Sequence, residues 1–580
     1  MDIWSWICEL PNSDDWNPSN SQLTFELAAS KTQSIRLRAD RNLGSDSEAF
    51  IGFSICFVGF QYSSDEDKTI WASDTCPLSS EKPFLPLVLQ LLQEIVTRSP
   101  TAHDSTCPRS QLQKLKPDPV SWVLDSHSPE SFSSFFNLVL LTRLFWLCVC
   151  DAPSEVGSFY FKSLFPPNLE AFACRHAPVW RNFFVAVGTD VELCFVRTFG
   201  YILAKWLILR DVEVGLQSLM TLSPSKNLGF SYAVESHGLW VLKGYTPVKS
   251  MQLMQCHGQK SQFPAVVDAK ESLLKYALAH QQLEAVIQLE YTVRYCDNFI
   301  QVNARVDNIR LHVVKLGFTK NSGEGFLDEK HFPSRIRVWV GPEVGAGYVG
   351  GLSLGRSTDN VEREMELQKT LKGSSGNSKV PRVKARARMS TRSKIKNWRW
   401  DQDVEGNAAT FDAILCDNTT GVEIATWKPP IGGEVQMGIN FRNRYTGGGR
   451  PFTKSGGLIF AGEEYGEGVG WRLSKEMEGS VLKWRIGGHV WLSYWPNDVN
   501  SSYYETRCVQ WCDEVDLPLI PTKDVKVSSF QVSGEELWID GSGNLSQSKC
   551  SDTYSCPQVA ELYEAERIHK QVSNYFSSVD

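Results

Sequence analysis

Hydrophobic residues recur every second position in the first eighty residues and again after about residue 225, and at helical spacing in between, which predicts an α+β protein. The architecture expected is a helical layer packed beside a large, mainly antiparallel β-sandwich or barrel-like region. In residues 1–80, Leu23 to Leu27 and Ile35 to Arg38 alternate apolar and polar, and the apolar run Phe50 to Phe60 follows, so a small β-rich segment is expected. From 84 to 222 the pattern is helical. Leu87 to Ile95 keeps helical spacing, Pro100 to Asp118 is a polar loop, and Ser128 with Pro129 marks a helix start with a capping hydroxyl and a proline at the first position. Further helices are expected between Asn168 and Leu222.

Residues 225–580 return to strands. Leu283 to Tyr295 and Phe299 to Leu316, rich in Val, Ile and Tyr, flank Asp297-Asn298, a pair suited to a tight hairpin turn. A second hairpin is expected from Thr410 to Cys416 with Val422 to Trp427. Nine of the nineteen tryptophans lie between Trp398 and Trp538, which predicts aromatic packing across strands there. A closing helix over 557–577 would place Val559, Leu562, Ile568, Val572 and Phe576 on one face.

With 580 residues, 42% hydrophobic and 22% charged, the chain has material for two to four packed units and lacks the profile of a disordered polymer. The stretches Phe136 to Cys150 and Val191 to Leu209 are interrupted by Arg143, and by Arg197 and Lys205, so buried helices are expected rather than membrane spans. The N-terminus lacks a basic leader pattern, and the 15 cysteines form no regular framework. A cytoplasmic protein with reduced thiols is therefore expected, with the nucleus as an alternative location.

The passages RVWVGPEVGAGYVGG (337–351), NWRWDQDVEGNAA (397–409) and SYYETRCVQWCDEVDLPLI (502–520) resemble a plant-specific family of uncharacterised proteins. That resemblance implies no activity and no site residues.

Two enzyme signatures overlap in 341–355. Gly345, Gly347 and Gly350 have dinucleotide-fingerprint spacing, which needs a strand before them and a helix opening at the last glycine. Gly351, Ser353 and Gly355 have nucleophile-elbow spacing, which needs a helix just after the serine, with Asp412 or Asp498 and His489 or His569 as partners and His237-Gly238 near an oxyanion hole. Asn360 to Leu371 reads as charged and helix-like. The loop Gly447 to Ser455 lacks the glycine a phosphate loop needs before Lys454, and Pro451 removes a donor N–H. No catalytic, cofactor-binding or metal-binding residue is assigned, and no cofactor is expected.

The net charge of −7 argues against wholesale nucleic-acid binding, yet Lys379 to Arg399 holds nine Lys/Arg and no acid, while Ala461 to Asp580 holds nineteen Asp/Glu against ten Lys/Arg. Within the basic run Arg382, Lys384, Arg386 and Arg388 alternate with small apolar residues, the pattern of a strand carrying its cations on one face. Two arrangements would account for it. The cations either pair internally with acids such as Glu561, Glu564 or Asp513, the favoured reading, or they bind an external polyanion, phosphoinositide headgroups or RNA. Gly373 to Ser378 reads as a flexible loop, and Arg388 three residues before Thr391 is a context in which phosphorylation would add negative charge beside the strand. The function expected is that of an interaction or scaffold protein with a protein or anionic partner, and an enzyme using 341–355 is the alternative.

Overall fold

A computed structural model describes residues 2–12, 16, 21–44, 48–60, 68–99, 101, 115–152, 154–168, 178–214, 229–248, 280–316, 330–355, 363–375, 383–395, 398–417, 421–426, 457–461, 466–495 and 505–521. The closing helix expected over 557–577 and the loop 447–455 lie outside them.

The first unit begins with a short helix, α1 (Ile3–Glu9), and an antiparallel sheet of β1 (Gln22–Ala29), β2 (Ser34–Leu43), β3 (Ala49–Val58), β4 (Lys68–Ala72) and the short β5 (Cys76–Pro77). Helices follow: α2 (Leu85–Arg98), α3 (Pro117–Ser126), α4 (Pro129–Trp146), α5 (Ser154–Phe159), α6 (Pro178–Val187) and α7 (Thr189–Val214). The Ser128 cap forms as its sequence predicts, its Oγ accepting from Ser131 N at 3.4 Å with Pro129 opening the helix. Trp4 packs on Phe132 and Phe136 with ring centroids 4.7 and 4.8 Å apart, so sheet and helices share one core. Pro129–Val149 is long and apolar enough to cross a membrane by composition, with mean hydropathy 1.7, and 89% of its apolar window is buried in this fold. Arg143 inside it is met by the Glu94 carboxylate of α2.

The second unit is a sandwich of two antiparallel sheets. A 7-stranded sheet runs in the order β11-β17-β9-β8-β7-β6, with β16 also on β9. Its members are β6 (Phe230–Ser236), β7 (Leu239–Val248), β8 (His280–Tyr295), β9 (Phe299–Leu316), β11 (Val349–Leu354), β16 (Gly457–Ala461) and β17 (Gly468–Ser474). A 5-stranded sheet runs β14-β15-β10-β18-β19, built from β10 (Phe332–Pro342), β14 (Trp398–Glu405), β15 (Ala408–Leu415), β18 (Val481–Tyr494) and β19 (Glu505–Pro518). Both sheets stay open, so the region is a sandwich and no barrel. Asp297-Asn298 turns β8 into β9, with Cys296 N donating to Phe299 O at 3.0 Å. His237 and Gly238, at φ 50° and 85°, form the two-residue turn between β6 and β7, where a left-handed pair matches the strand twist.

Two expectations fail here for physical reasons. The arm from Val422 makes only a short contact, the bridge Cys416 to Glu423 with Ile424 N donating to Leu415 O at 2.9 Å, because β10 occupies that edge of β15 up to Ile414 and β14 takes the other. The tryptophans link the sheets face to face rather than neighbouring strands. Trp471 of the 7-stranded sheet meets Trp484 of the 5-stranded one at 5.0 Å, edge to face, and Trp240 of the 7-stranded sheet stacks on the same Trp484 at 6.0 Å.

Helix α7 lies on the outer face of the 7-stranded sheet, held by Arg197, whose guanidinium donates to both Glu284 oxygens of β8 at 2.8 and 3.1 Å. That sheet is therefore covered on both faces along β7 to β9, which explains why apolar and polar residues alike are buried there.

His331, just before β10, sits fully buried with Nδ1 2.9 Å from Gln281 Oε1 of β8, joining the two sheets. Burial, assisted by the charge of Arg507, pushes its pKa down to about 3. An unfolded histidine titrates near 6.5, so between the two values only the unfolded chain takes the proton, and stability falls as pH drops from about 6.5 toward 3. Urea unfolding at pH 7 and pH 5 should show a larger loss in the wild type than in His331→Gln; equal losses would assign the acid sensitivity elsewhere.

A candidate basic hairpin and the polar face beside it

Between β11 and β14 the chain forms a two-stranded sheet of its own, β12 (Arg363–Ser375) paired with β13 (Val383–Ile395), each 13 residues long and described by its backbone course. At about 3.3 Å per residue its legs extend roughly 43 Å. The run predicted to be a basic strand is one, over Val383–Ile395, and carries Lys384, Arg386 and Arg388; Arg382 lies outside the described residues. The helix-like reading of 360–371 is overturned, since Arg363 onward is strand, and so is the loop from Gly373, because β12 continues to Ser375. Lys369 misled the pattern: it interrupts Met365, Leu367 and Leu371, whose true period is two.

The register sorts the charges. Near the base Glu364 stands opposite Lys394 and Glu366 opposite Arg392, pairs of opposite sign. Toward the tip Ser374 faces Lys384, Lys372 faces Arg386 and Thr370 faces Arg388. These positions share one face of the two-stranded sheet, and among the described residues its outer half holds four cations and no acid. Lys372, missed by sequence reading, completes the group; only the pairing register reveals it. Of the acids suggested as internal partners, Glu561 and Glu564 fall outside the described residues, and Asp513 is buried on β19, at the opposite edge of the sheet from β14.

The root of the hairpin is fixed to both sheets. Gly355 N donates to Gly468 O at 2.7 Å, extending β11 along β17, and Gln402 Nε2 of β14 donates to Gly355 O at 2.7 Å.

Next to this root, a cleft of about 430 Å³ is lined by Arg337, Asp401, Gln402, Asp403, Thr410 and Asp412. Asp401 of β14 stands opposite Asp412 of β15, two carboxylates whose repulsion is offset by arginines. Arg337 donates through Nε and Nη2 to Asp412 at 2.7 Å each, Arg335 through Nη2 at 2.8 Å, and Arg399 pairs with Asp401 at 3.1 Å. Burial raises the Asp412 carboxyl, but the hydrogen bonds from Arg337 and Arg335 outweigh it and hold the group below its ordinary value. His489, opposite Arg337 within β18, is held below its usual range by burial and by that arginine. The cleft is a network of paired arginines and aspartates.

Among the described residues neither enzyme arrangement is assembled. Gly350 and Gly351 lie within strand β11, which runs on through Ser353 to Leu354, so no helix opens at Gly350 or directly at Ser353. Ser353 Oγ donates to Gly470 O at 3.4 Å, on the 7-stranded sheet, whereas Asp412 and His489 belong to the other sheet. Asp498 and His569 lie outside the described residues, and His237-Gly238 is occupied as a hairpin turn. Among the described residues no group of three His, Cys, Asp or Glu could hold a metal.

The molecule is thus defined by its fold as a mixed α+β protein whose mainly antiparallel sheets form a sandwich. No family model and no curated protein matches the chain. Solved structures that align with it include the Clostridium perfringens NetB toxin in its membrane-inserted form, at 9% identity over 49% of this chain and 92% of that one, with a TM-score of 0.16. Clostridium perfringens delta-toxin aligns at 9% identity over 50% and 96%, with a TM-score of 0.18. A pore forming protein aligns at 10% identity over 50% and 99%, with a TM-score of 0.17. Superpositions this poor establish no shared fold.

Proposed function

We propose that the protein works by interaction rather than catalysis, binding a phosphate-bearing partner at the outer half of the hairpin through Lys372, Lys384, Arg386 and Arg388. The observation that carries this reading is the cross-strand pair Lys372 and Arg386, with cations on either side and no acid opposite. Like charges directly opposed on a sheet are destabilising, and a hairpin that balances its charges at the base but not at the tip gains most from an anion placed between them. Cations spaced about 6.6 to 6.8 Å along β13 suit a row of phosphates. A net charge of −7 does not prevent this, since screening confines each field to about 8 to 10 Å in physiological salt.

Inositol hexakisphosphate titrated calorimetrically into the wild type and into Lys384→Glu/Arg386→Glu tests the reading. Two charge-assisted hydrogen bonds lost correspond to about a hundredfold weaker binding, with an unchanged melting temperature. A variant that melts lower, with no binding by either protein, would establish internal pairing instead.

A further inference from the structure

Resting on that anion-binding reading, we infer that the hairpin's partner is an anionic lipid bilayer, with the cationic face toward the headgroup phosphates and the opposite face in the acyl boundary. The register places Met365, Leu367, Leu371, Val383, Ala385, Ala387, Met389 and Ile395 together on that second face. On β13 this face carries no charge at all from Val383 to Ile395, and on β12 the charges are Arg363 at the base and Lys369. Among the described residues no further strand pairs with this two-stranded sheet, and its one apolar and one cationic face are together matched by an anionic membrane surface.

The composition also separates lipid from RNA. Single-stranded nucleic acid is gripped by aromatic platforms on which bases stack, and there is no Phe, Tyr or Trp from Arg363 to Ile395. Nor can a single hairpin span the hydrocarbon core, because its two outer edges would carry unpaired backbone groups into it. It would lie in the interface, where those edges reach water and headgroups.

The test uses the full chain, phosphatidylcholine vesicles with and without one third phosphatidylserine, and soluble inositol hexakisphosphate as a lipid-free anion. In Leu367→Ser/Leu371→Ser/Met389→Ser, partitioning to the serine-lipid vesicles should fall about tenfold or more, while hexakisphosphate binding stays as in the wild type. Wild-type binding to those vesicles should persist in part at half-molar salt, and that of the triple variant should vanish. If the triple variant partitions like the wild type, or if the wild type binds hexakisphosphate and not vesicles, the membrane inference fails and the anion-binding reading stands. If the wild type binds neither, both fail. Melting temperatures of the wild type and the triple variant should agree, since the substituted positions belong to the hairpin's own sheet; a drop in the triple variant would mean that its apolar face packs on the rest of the protein, and would overturn the inference.

Discussion

Replacing Glu192 by alanine should destabilise the protein by about 3 to 5 kcal/mol, because three donors converge on this one buried carboxylate. Tyr232 and Tyr245 donate their hydroxyls to Oε1 at 2.6 and 2.5 Å, and Lys243 donates to Oε2 at 2.7 Å. Glu192 belongs to the first turn of α7 and its partners to β6 and β7, so the cluster joins the helical layer to the sandwich. Without the carboxylate, Lys243 keeps a charge with little water and both phenols lose their acceptor. Urea unfolding should show the midpoint falling with an unchanged slope, and Glu192→Ala/Lys243→Met should recover part of the loss. A loss below about 1 kcal/mol would show that the layers are held by apolar contact alone. Burial, reinforced by Glu192, also raises both phenols well above the ordinary tyrosine value. Their contribution is complete below pH 10 and is lost above it, as the unfolded chain ionises first.

Gly244→Val should cost about 3 kcal/mol, by separating the two sheets of the sandwich. A Cβ at Gly244 of β7 would stand 2.4 Å from Trp511 Cε2, a ring of β19 whose Nε1 donates to Thr246 Oγ1 at 3.1 Å. Either the ring leaves its seat and that hydrogen bond is lost, or the sheets shift apart. Gly244→Val/Trp511→Ala should be less destabilised than the sum of the two single changes, because each relieves the other's clash or void. Strict additivity in that cycle would mean the ring moves aside at no cost.

Much of the fold was legible wherever one local rule acted alone. Ser128 followed by Pro129, and Asp297-Asn298 between two runs of β-branched residues, need nothing beyond their neighbours. The failures occurred where the deciding contacts are remote. Asn360 to Leu371 has enough charge to imitate a surface helix until its partner strand is known, and the arm from Val422 had the composition of a strand but only the last residues of β15 to join. Of the hairpin site, the alternation from Arg382 to Arg388 was visible, but Lys372, ten or more residues away, joins the described cations only through the register. Nothing in the sequence distinguishes Glu192 from any other glutamate; its role depends on two strands that begin about forty residues later.

The bond from Gln402 to Gly355 gives the hairpin a kind of independence. Since the chain leaves the sandwich after Gly355 and is back in it at Trp398, within one strand of a point tied to Gly355, the strand pair β12 and β13 is an appendix to a closed frame. Its length, tip sequence and charge can drift, or be exchanged for another recognition segment, without asking the two sheets to fold differently. A scaffold so arranged would diversify its partners by rewriting one loop of text while its grammar stayed the same.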